Sequence, residues 1–191
     1  AVNNNDKVGI IFFSDKVEAY IPPKKGREHV LYIVRQLLTI EPKRKGTNLS
    51  EAIRFLTRTT RQNAIVFLLS DFLDGNSNPA TASRREPAFD EALKVAGKKN
   101  DVIGVKVYDK MDMQLPAIGM IEAEDAETGD RYWVDTSDYL VRSNYQQYFF
   151  NQTEQCKSIF QKAGCDLLHL RTDEDYVKIL QRFFVGRHRP G

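Results

Sequence analysis

The sequence predicts an α/β fold, a mainly parallel sheet doubly wound with helices, on three observations. Short apolar runs recur at Val8 to Phe13, Ala64 to Leu69, Val102 to Val107 and Cys165 to Leu170. These runs are mostly apolar instead of strictly alternating, the pattern of strands covered on both faces. Segments with apolar residues three and four apart lie between them, as helices crossing between parallel strands require. With 191 residues, 41% apolar and 28% charged, the chain is long enough for one such domain over residues 1–191.

The first run, Val8 to Phe13, reads as a central strand. Val17 to Ile21 alternates apolar with polar residues and stops at Pro22-Pro23, so it reads as a half-buried partner hairpinned to the first strand. Val30, Leu31, Val34, Leu37 and Leu38 fall on one helical stripe, with Pro42 just beyond its end. Asn48 is placed to cap the next helix, with Glu51 as reciprocal partner and Leu49, Ala52, Ile53 and Leu56 as the apolar face. Ala64 to Leu69 is the most apolar stretch and runs out into Ser70-Asp71-Phe72-Leu73-Asp74-Gly75. Residues 76–87, rich in Asn, Ser, Pro and Arg, read as a connection to a helix near Phe89 to Ala96. After the run at Val102 the rhythm changes. Two strand-like segments, Ile118 to Glu124 and Arg131 to Val134, flank Glu127-Thr128-Gly129-Asp130, which predicts a hairpin inserted at 117–135. A long helix from about Ser137 to Ala163 follows, with Leu140, Val141, Tyr145, Tyr148, Phe149, Ile159 and Phe160 inward and Gly164 as its C-terminal cap. Thr172 is expected to cap the last helix, whose core face is Tyr176, Ile179, Leu180, Phe183 and Phe184.

Composition narrows the function. A formal net charge of +2, from 28 basic and 26 acidic residues, gives no global field for nucleic acid or an anionic membrane surface. Clusters at Lys24 to Arg27, Lys43 to Lys45 and Arg187 to Arg189 lack the aromatic interleaving of nucleic-acid modules. Cys156 and Cys165 make no disulfide framework, and three scattered histidines offer no zinc spacing, which points to a reducing compartment. No apolar run approaches the roughly 20 residues of a membrane span, and no signal-peptide pattern opens the chain. Ala1 to Asp6 supplies only polar turn residues, so the sequence reads as entered midway. Three-residue glycosylation patterns at Asn48 and Asn151 carry no weight outside a secreted protein. Recognised catalytic constellations, such as Gly-x-Ser-x-Gly and His-Glu-x-x-His, are missing, so the expectation is a protein that is not an enzyme.

Ligands of a doubly wound sheet bind at the carboxyl ends of its strands. There the chain places Gly46-Thr47-Asn48 and Ser70-Asp71, with Asp74 close behind. Their hydroxyl and carboxylate oxygens suit a hard cation such as Mg²⁺ or Mn²⁺. From spacing alone, helix and loop capping is the more frequent role for such residues. Trp133 with Tyr132 marks either a contact surface on the hairpin or ordinary strand packing.

A set of short segments, in order, adds a resemblance. They are Asn5 to Gly9, Phe13 to Asp15, Tyr20 to Gly26, Gly46 to Leu49, Leu69 to Phe72, Asp101 to Ile103, Val107 to Asp109, Asp125 to Gly129, Trp133 to Asp135 and Thr172 to Tyr176. Together they resemble the C-terminal part of the bacterial family called domain of unknown function 58, whose members contain a von Willebrand factor type A-like domain. The resemblance implies a metal-ion-dependent adhesion site in which Thr47 and Asp71 are metal ligands, with Gly46, Asn48, Ser70 and Asp74 around a partner-binding surface. The family's Asp-x-Ser-x-Ser loop and first strand have no counterpart in the sequence, which implies an incomplete site that holds Mg²⁺ or Mn²⁺ weakly at most. It also implies unpaired edges on the strands at Val8 and Ala64. The implied partners are a MoxR-type AAA+ ATPase and a client protein, with the chain as a cytoplasmic adaptor in protein assembly. The alternative is a metal-independent scaffold that makes its contacts through the inserted hairpin.

Overall fold

The computed structural model describes residues 6–42, 46–60, 63–72, 89–124 and 129–187. The chain divides into two units: Ala1–Arg61 with Asp74–Phe89, and Gln62–Leu73 with Asp90–Gly191.

In the first unit, β1 (Val8–Phe13) pairs antiparallel with β2 (Val17–Lys24), and α1 (Arg27–Thr39) and α2 (Leu49–Thr59) pack on the hairpin. Strand β2 runs through Pro22 and Pro23 instead of stopping before them. The pairing slips between Val8 and Ile10, and that irregularity accommodates two residues without an N–H on a strand with one neighbour among the described residues. Gly9 is required there, because a Cβ would sit 2.8 Å from the Ile21 carbonyl oxygen and 2.9 Å from the Pro23 nitrogen. Leu49, Ala52 and Ile53 of α2 are buried with Ile21 and Ile33, and Tyr20 meets the Phe55 ring edge-on at 5.4 Å. Of the expected stripe of α1 only Val30 turns inward. Leu31, Val34, Leu37 and Leu38 are exposed, Leu38 at 79%, whereas Val30 and Ile33 turn inward and His29 Nε2 donates to the Val8 carbonyl at 2.9 Å.

In the second unit, β3 (Ile65–Ser70), β4 (Asp101–Tyr108) and β7 (Asp166–Arg171) form a parallel sheet in the order β3-β4-β7. Helices α3 (Phe89–Gly97), α4 (Lys110–Met113), α5 (Tyr139–Ala163) and α6 (Tyr176–Arg187) accompany it, although α3 begins at the boundary residue Phe89. Alternate strand residues point to opposite faces. Phe67, level with Ile103, meets Phe184 of α6 at 6.1 Å. Gly104, one residue on, faces Phe160 of α5. Helices therefore lie on both faces of the sheet, as expected. The core comprises Leu68, Phe72, Leu93, Val102, Ile103, Val105, Cys156 and Phe160.

Strand β4 is the buried centre, with a neighbour on each side. Strand β3 is less covered than its apolar run predicts, because Ile65, Phe67 and Leu69 on one face are exposed, Ile65 at 65%. Among the described residues β1 pairs only with β2 and β3 only with β4, so β1 is not the central strand expected and each strand has one edge without a hydrogen-bonded neighbour. Strands β5 (Met120–Glu124) and β6 (Arg131–Asp135) form the hairpin expected between β4 and the long helix, as a separate two-stranded sheet.

Helix α5 ends at Gly164, whose φ of 67° is the left-handed cap anticipated, although Leu140 and Tyr148 point outward. Helix α6 starts later than predicted. Asp175, not Thr172, accepts at its first turn, from the Lys178 amide at 3.2 Å, while the Thr172 hydroxyl donates to Asp109. Tyr176 is exposed, outside the core face assigned to it.

Candidate functional site

Gly46, Thr47 and Asn48 lie in the first unit. Gly46 has φ 92°, a conformation that a side chain would strain, and this turns the chain into Thr47 and α2. The Asn48 side chain accepts from the Glu51 amide at 2.9 Å, so its capping role holds. Its own amide donates to the Ser14 carbonyl at 2.8 Å, which ties this loop to the β1–β2 turn. Ser14 is buried there and its hydroxyl donates to Glu18 at 2.6 Å.

Ser70 and Asp71 lie in the second unit, at the carboxyl end of β3. The Ser70 hydroxyl oxygen accepts from the Phe72 amide at 3.0 Å and donates to the Asp71 carboxylate at 3.3 Å, which folds the strand end into a tight turn. Phe72 follows with φ 54°, the one described non-glycine residue with positive φ. Its side chain is buried and meets Phe160 edge-on at 5.3 Å, so core packing maintains that backbone conformation. The third restraint is Lys106 of β4, whose Nζ donates to the Asp71 carbonyl at 2.5 Å.

Lys106 is the side chain that sequence reasoning missed. It is 1% exposed and lies 5.6 Å from the centre of the Phe149 ring. Burial lowers its pKa from the ordinary lysine value, and the nearby Cys156, Asp71 and Asp112 act in the opposite direction. The same burial raises the Cys156 thiol to about 11, with Lys106 opposing. The available signal was a single lysine inside the otherwise apolar run Val102 to Val107.

The Asp71 side chain is exposed while its main chain is fixed from below. As oxygen donors, Thr47 and Asp71 have the right chemistry for Mg²⁺ or Mn²⁺, but two donors do not close a shell of about six. Among the described residues no group of three or more His, Cys, Asp or Glu is arranged to hold a metal ion. Thr47 and Asp71 belong to different units, and Asp74 lies outside the described residues. Among the described residues no helix is long and apolar enough to cross a membrane.

The family model described as protein of unknown function DUF58 matches residues 1–155. The uncharacterized protein Rv1480 of Mycobacterium tuberculosis is 24% identical over 188 residues, 96% of this chain and 55% of its own length. The chain thus spans about half the length of that curated relative. The uncharacterized protein MAV169 of Mycobacterium avium is 27% identical over 171 residues, 88% of this chain and 94% of its own length. Among solved structures, the conserved hypothetical protein BatB from Bacteroides thetaiotaomicron aligns with a TM-score of 0.53 and 19% identity, over 96% of this chain and 79% of that one. An aerotolerance-related membrane protein from Bacteroides fragilis aligns with a TM-score of 0.51 and 16% identity, over 93% and 77%. At those identities the likeness is one of fold.

Proposed function

The chain belongs to the DUF58 family, and we propose that it is a non-catalytic protein-binding adaptor whose contact group is the Asp71 carboxylate at the carboxyl end of β3. One observation carries this reading: an exposed carboxylate stands on a turn held by the Ser70 hydroxyl, the buried Phe72 and the buried Lys106. A contact group fixed before binding loses little conformational entropy when a partner docks. The end of a parallel strand is also where α/β sheets present their ligand sites.

In this reading the domain is von Willebrand factor type A-like, and Thr47 in the first unit and Asp71 in the second are each proposed as an oxygen donor to Mg²⁺ or Mn²⁺. The other donors come from outside this pair, a partner's carboxylate among them. The proposed partner is a MoxR-type AAA+ ATPase and the proposed setting is the cytoplasm, with assembly or maturation of a client protein as the task. A metal titration of the full-length protein separates this from a metal-independent scaffold. Calorimetry of residues 1–191 with Mn²⁺ is expected to show binding weaker than about micromolar, since two donors leave the shell open. Tighter binding that survives Thr47→Val and Asp71→Asn would move the cation to other residues and remove the metal from this proposal. The scaffold reading has its own observation, the exposed indole of Trp133 on the β5–β6 hairpin.

A further inference from the structure

The outward face of that hairpin combines an exposed aromatic ring with an excess of acidic side chains. Its register pairs Met120 with Asp135, Glu122 with Trp133 and Glu124 with Arg131, so these six side chains share one face. Trp133 is 67% exposed in the middle of it. Arg131 bridges the two glutamates, with Nε 3.0 Å from Glu124 and a terminal nitrogen 4.0 Å from Glu122, and so holds carboxylates on the strand beside the indole. One arginine does not neutralise this region. On this face Glu122, Glu124 and Asp135 stand against that single base.

The hairpin is firmly mounted. Thr136 at its base is fully buried, donates to the Gly119 carbonyl at 2.7 Å and accepts from the Ile118 amide at 3.1 Å. Arg142 of α5 donates to the Thr136 carbonyl at 2.6 Å. An indole that stays exposed on a fixed acidic face has the composition of a cation-recognition surface, since the ring's negative face and the flanking carboxylates attract the same guanidinium or ammonium group.

We infer that this face is a docking surface for an arginine- or lysine-bearing segment of a partner protein, with Trp133 as the anchor and Glu122 and Glu124 as the charge partners. The partner must be basic because charge complementarity selects it, and the surface uses none of the residues assigned to the Asp71 turn.

Trp133 is the chain's single tryptophan, so its emission reports on this face directly. A hexa-arginine peptide titrated into the chain at low salt is expected to change that emission saturably, and a hexa-glutamate peptide is not. By calorimetry, Trp133→Ala and Glu122→Gln/Glu124→Gln should each bind hexa-arginine about tenfold more weakly. Asp173→Asn/Asp175→Asn, acids elsewhere in the same unit, should bind it unchanged. Equal weakening in all three variants, or none in the first two at unaltered melting temperature, overturns the assignment. An emission change with protein concentration alone, accompanied by dimers in sedimentation, would also overturn it by giving the face to a second copy of the chain.

Discussion

Gly104→Ala tests whether the turn at Asp71 depends on the core beneath it. A Cβ at Gly104 would lie 2.4 Å from both Cε1 and Cζ of Phe160 and 2.9 Å from Leu167 Cδ1. Carbon atoms in contact prefer about 3.5–4.0 Å, so the Phe160 ring must move by about an ångström. Phe160 is fully buried and meets Phe72 edge-on, so no open space receives the ring. Overpacking of this kind costs about 1–3 kcal/mol. For a protein of this size each kcal/mol lowers the melting temperature by about 2–4 °C, giving an expected drop of about 2–12 °C by calorimetry or circular dichroism. The double variant Gly104→Ala/Phe160→Leu removes the clashing ring and should be less destabilised than the sum of its single changes. Strict additivity, or a Gly104→Ala protein as stable as the parent, would refute the packing argument and with it the claim that Phe160 holds Phe72 in place.

Three further outcomes follow from the same geometry. Asn48→Ala removes the cap on α2 and should cost about 1 kcal/mol in urea unfolding, whereas Asn48→Asp should retain most of it. Lys106→Met keeps the side-chain volume while removing an ammonium that burial already disfavours, so global stability should change by less than about 1.5 kcal/mol. Amide exchange at Phe72 should nevertheless accelerate, because the turn loses its tie to β4; unchanged exchange would deny Lys106 a positioning role. Cys156 should resist thiol reagents at pH 8 more than Cys165. Because folding raises its pKa from 9.0 to about 11, its contribution to stability is complete below pH 9 and is lost as pH rises through 11. Chemical unfolding across that range should show a shallower decline in Cys156→Ala than in the parent.

How far the sequence could be read depended on how local each signal was. The Asn48 cap, the Gly164 cap and the β5–β6 hairpin were legible because each is a property of a few adjacent residues. The apolar runs placed β3, β4 and β7, since a parallel sheet demands apolar strands. Periodicity placed α1 but put only Val30 of its stripe on the inner face, because spacing reveals a stripe without revealing what meets it. Here Val30 and Ile33 pack inward while the Leu31–Val34–Leu38 row is exposed. Pro22 and Pro23 were read as a strand end because the irregular pairing that tolerates them is invisible in one strand alone. Thr172 looked like a cap for α6 but bonds Asp109, a residue 63 positions away. Ser70 and Asp71 were identified by their place after an apolar run. The tie from Lys106 to the Asp71 carbonyl was not legible, because its partner is 35 residues distant and is a main-chain atom that no residue type announces.

The adaptor reading rests on Asp71 as a contact group, and one binding measurement addresses it most directly. A purified MoxR-type ATPase, the proposed partner, is titrated with the chain and with Asp71→Asn, which keeps the side chain's shape and removes its charge. The account predicts binding weakened about tenfold or more, with an unchanged melting temperature, as expected when a charged partner at an interface is neutralised. Equal affinity for both proteins, at equal stability, would contradict it.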